Sequence, residues 1–445
     1  MLQVLFSFLL FSISMLAFII LNRSNRGHGK VIRSFCFLSA NIYILLGLIG
    51  YLYYGLSDQN IIGFYNIGAI KEDVELGISL FFLCGAFILF GGCLYRLKPI
   101  SSHKTSNNPI FNKNYAIIRK KESSLRKALI LFSCAVPLFL SVIGSGFDNV
   151  ISSTVYLPDG DYPIISRLGG ILSMAAIFFM GMVVASENSR RWKIIYWVLL
   201  ACYLSFYMAI ATRRVAMLFV LYFAGSLING RNNARVTRTF LIITLAVPFL
   251  LYLPLYIRSQ PLLGLAALPA NIYNGIASIL SISLLELYKG IFANISFGVP
   301  LAGYVAVQPE IKFDYLLISI SPLPSFLLGA MGFNDWYAVS DDLRVNAYIP
   351  YSAIGELANH GLVWLFIVFS CFGYLISRFE ALINYNKKPF YEIGYILACG
   401  LLFFSIFIST QYNLRSVFRF YYYSILVATL WPAVIFFIRG CFRKL

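Results

Sequence analysis

The stretch RRVAMLFVLYFAGSLIN, residues 213–229, is a hydrophobic helix that opens with two adjacent arginines. Arg213 lies about 16 residues before the end of this helix at Asn229. A helix that crosses the hydrocarbon core of a bilayer requires roughly 20 residues, so this one is short. The pattern predicts that Arg213 and Arg214 lie just inside the apolar layer. Charges at that depth are costly and usually face a polar cavity with a partner. We therefore expect these arginines to bind a negatively charged group.

The composition around this stretch is that of a membrane protein with several spans. The chain has 445 residues, of which 60% are hydrophobic and 12% charged, and its mean hydropathy is +0.78. Soluble domains of this length do not have such values. The net charge of +17 would suggest nucleic acid in a soluble protein, but here the lipid bilayer is the predicted partner and no nucleic acid is expected. The eight cysteines lie in or at the ends of apolar runs and lack the spacing of metal ligands. We therefore expect neither disulfides nor a structural metal site.

Eleven apolar runs are long enough to be transmembrane helices, which predicts an all-α polytopic membrane protein. The runs cover residues 2–21, 33–54, 74–94, 127–147, 167–186, 194–212, 214–229, 239–257, 353–376, 391–410 and 416–438. The first run lacks the basic region and cleavage site of a signal peptide, so we expect it to be retained. Helices 1–8 then occupy residues 1–257 and helices 9–11 occupy residues 353–445, with a long loop segment, 258–352, between them.

The loop segment contains semi-apolar runs that prolines and glycines interrupt, at 276–285, 291–307 and 315–333. Irregular backbone at membrane depth survives only where protein or water satisfies its polar groups. The segment is therefore predicted to form re-entrant or interfacial helices. Two additional spans within it would leave the orientation on either side unchanged, so thirteen helices are the alternative count.

The distribution of charge predicts one orientation. With alternate loops on opposite sides, 25 of the 35 basic residues fall on one side and 14 of the 18 acidic residues on the other. Because cytoplasmic loops carry the excess of Lys and Arg, the N-terminus is predicted outside and the C-terminus inside. The loop segment then lies outside as well.

Several arginines oppose this charge rule, because they fall on the predicted outer side, and six of them are candidate site residues. Arginine's planar fork suits paired contacts with phosphate oxygens, and several converging arginines suit a pyrophosphate. Two of the six, Arg415 and Arg419, are four residues apart and therefore share one helix face. The alternative interpretation is that these side chains pair with outer carboxylates or reach lipid headgroups. The six are Arg213, Arg214, Arg258, Arg344, Arg415 and Arg419.

A second candidate lies at residues 350–362, PYSAIGELANHGL, where the ninth apolar run begins. Glu356 and His360 are four residues apart, so a helix would place both on one face. An acid or an imidazole there could act as a general base on a hydroxyl, or protonate or orient a leaving phosphate. The alternative interpretation is structural, with Glu356 complementing a helix macrodipole and His360 an ordinary interfacial residue.

Three motifs resemble those of a known family: AIATRR at 209–214, SPLPSF at 321–326 and IPYSAIGELANHGLVWLFIVFSCFGYLISRFE at 349–380. Together with the size, the topology and the long loop, they resemble the Wzy-type O-antigen polymerases, also called oligosaccharide repeat unit polymerases. The resemblance covers roughly the C-terminal half of the chain, and its motifs are short.

The resemblance implies a GT-C-like glycosyltransferase in the bacterial inner membrane, with a periplasmic N-terminus and active site and a cytoplasmic C-terminus. The growing glycan would pass from its undecaprenyl pyrophosphate carrier to another lipid-linked repeat unit, with no cofactor and no metal. A polysaccharide chain-length regulator is a further partner that the family allows. In residue terms, Arg213, Arg214 and Arg419 would bind the donor pyrophosphate, Arg258, Arg344 and Arg415 would make secondary contacts, and Glu356 or His360 would be the base or orienting group.

Two other functions stay open. O-antigen ligases share this architecture and also use arginines with a histidine, although SPLPSF and the Glu-containing ninth helix favour a polymerase. The alternative from another class is a lipid-linked oligosaccharide flippase or an ion-coupled transporter. Such proteins usually show repeated halves or ionisable groups near the midplane, whereas the unusual charges of this chain lie at one face.

Overall fold

The computed structural model of the protein describes residues 2–26, 34–55, 69–97, 124–154, 161–187, 189–212, 214–228, 242, 246, 249–281, 296–309, 311–323, 325–332, 341–346, 349–385 and 389–442. Over these ranges the chain is mainly helical. Its contacts divide it into two compact units. The first unit comprises the described residues of 1–107 and 292–445, and the second comprises those of 108–291.

The helices follow one another along the chain as the apolar runs predict, with additional short ones. The first unit begins with α1 (Leu2–Arg26), α2 (Phe35–Gly50), which continues into a π-helical turn at Tyr51–Gly55, and α3 (Lys71–Leu97). The second unit contains α4 (Ser124–Ser145), α5 (Phe147–Ile151), α6 (Pro163–Ser186), α7 (Arg190–Ala209), α8 (Arg214–Ile228), α9 (Phe249–Arg258) and α10 (Leu268–Ser281).

The remainder of the chain belongs to the first unit. It contains α11 (Gly298–Ala306), α12 (Phe313–Ile320), α13 (Ser325–Ala330), β1 (Arg344–Asn346), β2 (Ile349–Pro350), α14 (Ala353–Asn359), α15 (Leu362–Tyr385), α16 (Pro389–Gln411) and α17 (Leu414–Phe442). The two short strands pair antiparallel, with Arg344 opposite Pro350. The prediction of three segments, 1–257, 258–352 and 353–445, concerns the membrane topology and stays a prediction.

The lengths and composition of the helices confirm an all-α polytopic membrane protein. Within the described ranges, seven helices are long and apolar enough to cross a bilayer. They are Leu2–Leu21, Phe35–Tyr54, Lys71–Leu97, Ile164–Ala185, Arg190–Ala209, Leu362–Ile383 and Gly394–Gln411. Shorter apolar helices run over Ile130–Ser145, Arg214–Phe223 and Phe249–Arg258. Of the predicted run 239–257, most of the first half lies outside the described residues.

One predicted helix is interrupted. The run 353–376 is divided into α14 and α15, because the chain turns at His360 and Gly361 has a φ of +111°. A positive φ favours glycine, which has no Cβ to clash with the backbone. Glu356 and His360 are still joined by one helical turn, since the backbone N–H of His360 donates to the carbonyl of Glu356 over 3.2 Å.

A short buried helix, α11, lies within the segment that the sequence predicts as an outer loop. Its nine residues rise through about 14 Å, too little to cross a bilayer. All but two of them are buried. A Cβ added at Gly303 would lie 1.7 Å from the carbonyl oxygen of Asp73, and one added at Gly77 would lie 2.0 Å from that of Val299. Glycine thus permits backbone-to-backbone packing of α11 on α3.

The opposite end of α3 is fixed by a buried ion pair. Arg96 Nη2 lies 3.6 Å from Glu380 Oε2, and both side chains are almost fully buried. The carboxylate of Glu380 also accepts hydrogen bonds from Ser34 Oγ and from the backbone N–H of Phe35, which starts α2. The guanidinium of Arg96 stacks over the ring of Phe18 at 4.0 Å. This network joins α1, α2, α3 and α15 at one end of α3.

Candidate functional site

The turn between α7 and α8 in the second unit carries the first group of predicted arginines. Ala211 lies in this turn with a φ of +51° and is fully buried. A non-glycine residue in this conformation costs about 1–2 kcal/mol, so the surrounding contacts must maintain it. The backbone N–H of Ala211 donates to Met208 at 2.8 Å, and that of Thr212 donates to Tyr207 at 3.0 Å. The turn is therefore a fixed feature that ends directly before Arg213.

Arg258, at the end of α9, holds this turn. Its Nε donates to the carbonyl of Ala211 over 2.9 Å. The sequence predicts a secondary pyrophosphate contact for Arg258, and its contact with the turn was not foreseen. Because a carbonyl is a neutral acceptor, this bond adds no negative charge of its own beside the guanidinium.

Arg214 is the first residue of α8, and its side chain is exposed. Its guanidinium lies against α6, where a Cβ added at Gly170 would come within 2.7 Å of Nη1. Among the described residues, none accepts a hydrogen bond from Arg214. The first N–H groups of a helix have no partners within the helix, and the macrodipole adds positive charge there. Arg213 lies outside the described residues. Of the predicted arginines in this unit, the structure therefore describes Arg214, which follows the turn, and Arg258, which contacts it.

The first unit carries the remaining candidates. Glu356, in α14, precedes the candidate span Leu362–Ile383 and has only 3% of its surface exposed. Its Oε2 accepts the backbone N–H of Leu414, the first residue of α17, over 3.0 Å. Burial raises the pKa of Glu356 to about 8, and the hydrogen bond from Leu414 opposes this rise. Its Oε1 forms no hydrogen bond within the described part of the chain.

Arg415, the next residue of α17, is buried and donates to two backbone carbonyls. Its Nη1 bonds the carbonyl of Ile318, and its Nη2 bonds that of Leu323 over 2.8 Å. The hydroxyl of Tyr422 donates to the carbonyl of Ile320. These carbonyls lie in the last turn of α12 and in the SPLPSF motif, where helix acceptors lack partners. The structure therefore gives Arg415 a helix-capping contact that the sequence did not predict.

Arg419 is half-buried and lies one turn after Arg415 on α17. The structure thus brings Glu356, Arg415 and Arg419 to the start of the same helix.

His360 is the C-terminal cap residue of α14 and is half-buried. Its ring meets that of Phe313 edge-on, with centroids 6.4 Å apart. The neighbouring Asn359 uses both ends of its amide: Oδ1 accepts the N–H of Ile311 at 2.9 Å, and Nδ2 donates to the carbonyl of Gln308 at 2.9 Å. Asn359 therefore fixes the chain that leaves α11. The sequence alone gives no signal for this role of Asn359.

Arg344 lies on β1, away from the helix ends that the sequence emphasised. Its Nε is 3.6 Å from Asp341 Oδ1, and both side chains are largely exposed. An exposed pair of this kind contributes at most about 1 kcal/mol. The adjacent Asp342 accepts the hydroxyl of Tyr315 at 2.8 Å. No group of three or more His, Cys, Asp or Glu within the described ranges is arranged to hold a metal ion.

Comparison of the chain with models of known families, with curated proteins and with solved structures gives no match in any of the three. The chemistry of the site therefore carries the functional argument. An exposed guanidinium at a helix N-terminus, directly after a turn that a second arginine contacts, suits a dianion such as phosphate or pyrophosphate. A buried carboxyl whose pKa is raised to about 8 can exchange a proton near neutral pH, and a half-buried imidazole lies at the end of the same helix.

Proposed function

We propose that the protein is a glycan polymerase of the Wzy type. It joins undecaprenyl-pyrophosphate-linked repeat units by transferring the growing glycan from one lipid carrier to the terminal sugar of another. The observation that carries the proposal is the exposed guanidinium of Arg214 at the N-terminus of α8, directly after the turn that Arg258 contacts.

The reaction gives this site its role. When the glycosidic bond to the carrier breaks, negative charge develops on the leaving pyrophosphate. Fixed cations that neutralise this charge lower the barrier, and removal of one such donor typically costs about 100- to 1,000-fold in rate. In the second unit, Arg213 and Arg214 bind the donor pyrophosphate, with a secondary contact from Arg258. In the first unit, Arg419 has the pyrophosphate-binding role, with secondary contacts from Arg344 and Arg415. Glu356 or His360 activates or orients the acceptor hydroxyl.

The proposal includes a location and an architecture. Eleven helices of a GT-C-like glycosyltransferase span the bacterial inner membrane, with the N-terminus and the active site in the periplasm and the C-terminus in the cytoplasm. The lipid carrier then presents its pyrophosphate at the membrane surface, where an exposed arginine at a helix end can reach it. A chain-length regulator is the expected protein partner.

The experiment uses the purified full chain in nanodiscs, lipid-linked repeat units and EDTA. We expect a ladder of multiples of the repeat unit on a gel. Arg214→Ala and Arg214→Lys should both lower the rate at least 100-fold, because an ammonium does not reproduce the planar fork. Arg190→Ala is the matched control: Arg190 is also exposed and also starts a helix of the second unit, so its loss should leave the ladder unchanged.

Three outcomes contradict the proposal. A full ladder from Arg214→Ala would show that the reaction does not require this arginine. No ladder, but transfer to lipid A core when that acceptor is added, would identify a ligase. Movement of lipid-linked glycan across reconstituted vesicles without any new glycosidic bond would identify a flippase.

A further inference from the structure

The carboxylate of Glu356 caps the N-terminus of α17. Its Oε2 accepts the N–H of Leu414 over 3.0 Å, and the side chain is buried. The first N–H groups of a helix have no partner within the helix, and the side-chain oxygen of Glu356 satisfies one of them. This contact spans 58 residues of sequence, so it joins two separate elements and is not a local turn.

Two further contacts make the cap part of a clamp. Ser352 Oγ donates to the carbonyl of Ser409 at 3.3 Å, and the N–H of Ala353 donates to the carbonyl of Tyr412 at 2.8 Å. Ser409 belongs to α16, and Tyr412 lies in the short link between α16 and α17. The first turn of α14 therefore binds the end of one helix, the link and the start of the next.

The start of α17 in turn places the arginines of the first unit. Arg415 follows Leu414 directly and is fixed by the carbonyls of Ile318 and Leu323. Arg419 lies one turn further along the same face. Because a helix moves as a rigid body, a shift of its first turn moves Arg419 by a similar amount.

We infer that Glu356 is a positioning residue that fixes α17 and thereby Arg419, and that it is not the general base. The role of Arg419 in this inference rests on the proposed function. A general base must come within about 3 Å of the proton it removes. The carboxyl of Glu356 is enclosed by protein and directed at a backbone amide, whereas His360 at the end of the same helix is half-buried.

Two substitutions separate positioning from proton transfer. Glu356→Gln keeps an oxygen that can accept the N–H of Leu414, but the amide cannot accept a proton at neutral pH. Glu356→Ala removes the cap. Asp314→Asn is the matched control, because Asp314 is also an acid in the first turn of a helix but is exposed.

The readouts are hydrogen exchange of peptides that cover residues 412–420, the dissociation constant of inorganic pyrophosphate, and the rate of ladder formation against pH. We expect Glu356→Gln to keep exchange, affinity and rate within about threefold of the unchanged protein, with the same pH profile. Glu356→Ala should accelerate exchange at 412–420 at least tenfold, weaken pyrophosphate binding about tenfold and raise KM for the donor more than it lowers kcat. Asp314→Asn should change none of these.

A rate loss of 100-fold or more in Glu356→Gln, with exchange and affinity unchanged, would identify a base and overturn the inference. Unchanged exchange in Glu356→Ala would also overturn it, because the cap would then not fix α17. The exchange measurement does not depend on polymerase activity. A wild-type protein without a ladder would therefore contradict the proposed function, while the exchange data would still decide whether Glu356 holds the helix.

Discussion

Replacing Gly303 with alanine should destabilise the first unit severely for a single methyl group. The added Cβ would lie 1.7 Å from the carbonyl oxygen of Asp73 and 2.9 Å from the amide nitrogen of Gly77. Real Cβ atoms essentially never approach within 3.0 Å, so α3 and α11 must separate by more than 1 Å. The three nearest atoms all belong to the backbone, so no side chain can rotate away. Overpacking of this kind costs about 1–3 kcal/mol, and the rigid surroundings favour the upper end.

The assay is thermal unfolding of the purified protein in detergent, followed by size-exclusion chromatography. For a unit of this size, about 1 kcal/mol corresponds to about 2–4 °C, so Gly303→Ala should lower Tm by about 4–12 °C. Gly400→Ala is the control, because nothing lies within 4 Å of its added Cβ. A glycine-to-alanine change inside a helix gains up to about 1 kcal/mol, so this variant should unfold at the same or a higher temperature. Equal Tm values for the two variants would refute the packing of α11 on α3.

Three further predictions concern charge. Arg96→Met alone should cost about 3–5 kcal/mol by leaving Glu380 buried without its cation, and addition of Glu380→Gln should restore most of the loss in Tm. Burial raises the pKa of Glu356 from 4.5 to about 8, so the folded state binds this proton more tightly than the unfolded state. The contribution of Glu356 to the free energy of unfolding is complete below about pH 4.5. It is lost as pH rises through 8, at up to about 1.4 kcal/mol per pH unit. Tm should therefore fall from pH 5 to 9 more steeply in the unchanged protein than in Glu356→Gln. A Cβ added at Gly170 would lie 2.7 Å from Nη1 of Arg214, so Gly170→Ala should displace this guanidinium. Calorimetry should then show pyrophosphate binding weakened about threefold, while Tm stays constant.

The helices themselves follow from the sequence, because long apolar runs have few other stable forms in a bilayer. The buried helix α11 does not. Pro300 and several glycines break its apolar pattern, which therefore predicts an interrupted loop. Its packing depends on Gly77 and Gly303, which lie far apart in the sequence and approach only in the folded chain. The division of α14 from α15 has a local signal in Gly361, but a glycine within an apolar run indicates a break only weakly.

The site was predictable as a set of residues but not as a set of contacts. Arg415 and Arg419 are unusual in the sequence because they fall on the predicted outer side, where the charge rule disfavours basic residues. The sequence could not show that Arg415 bonds the carbonyls of Ile318 and Leu323, because any backbone can supply such acceptors. The same holds for Glu356, whose partner is the backbone amide of Leu414. Contacts between side chains and backbone leave no trace in residue identity at the partner position.

Both units use an arginine in the same way, and this has an electrostatic consequence. Arg258 donates to the carbonyl of Ala211, and Arg415 donates to that of Leu323. In the second unit the contacted turn directly precedes α8, which begins at Arg214, and in the first unit Arg419 lies one helical turn after Arg415. A carboxylate in place of the carbonyl would hold the turn equally well but would cancel the charge. These carbonyl bonds add no negative charge of their own, so they fix the two guanidinium groups and do not themselves weaken the attraction for an anion. Such preorganisation suits a polyanionic leaving group, because little reorganisation is required when its charge develops.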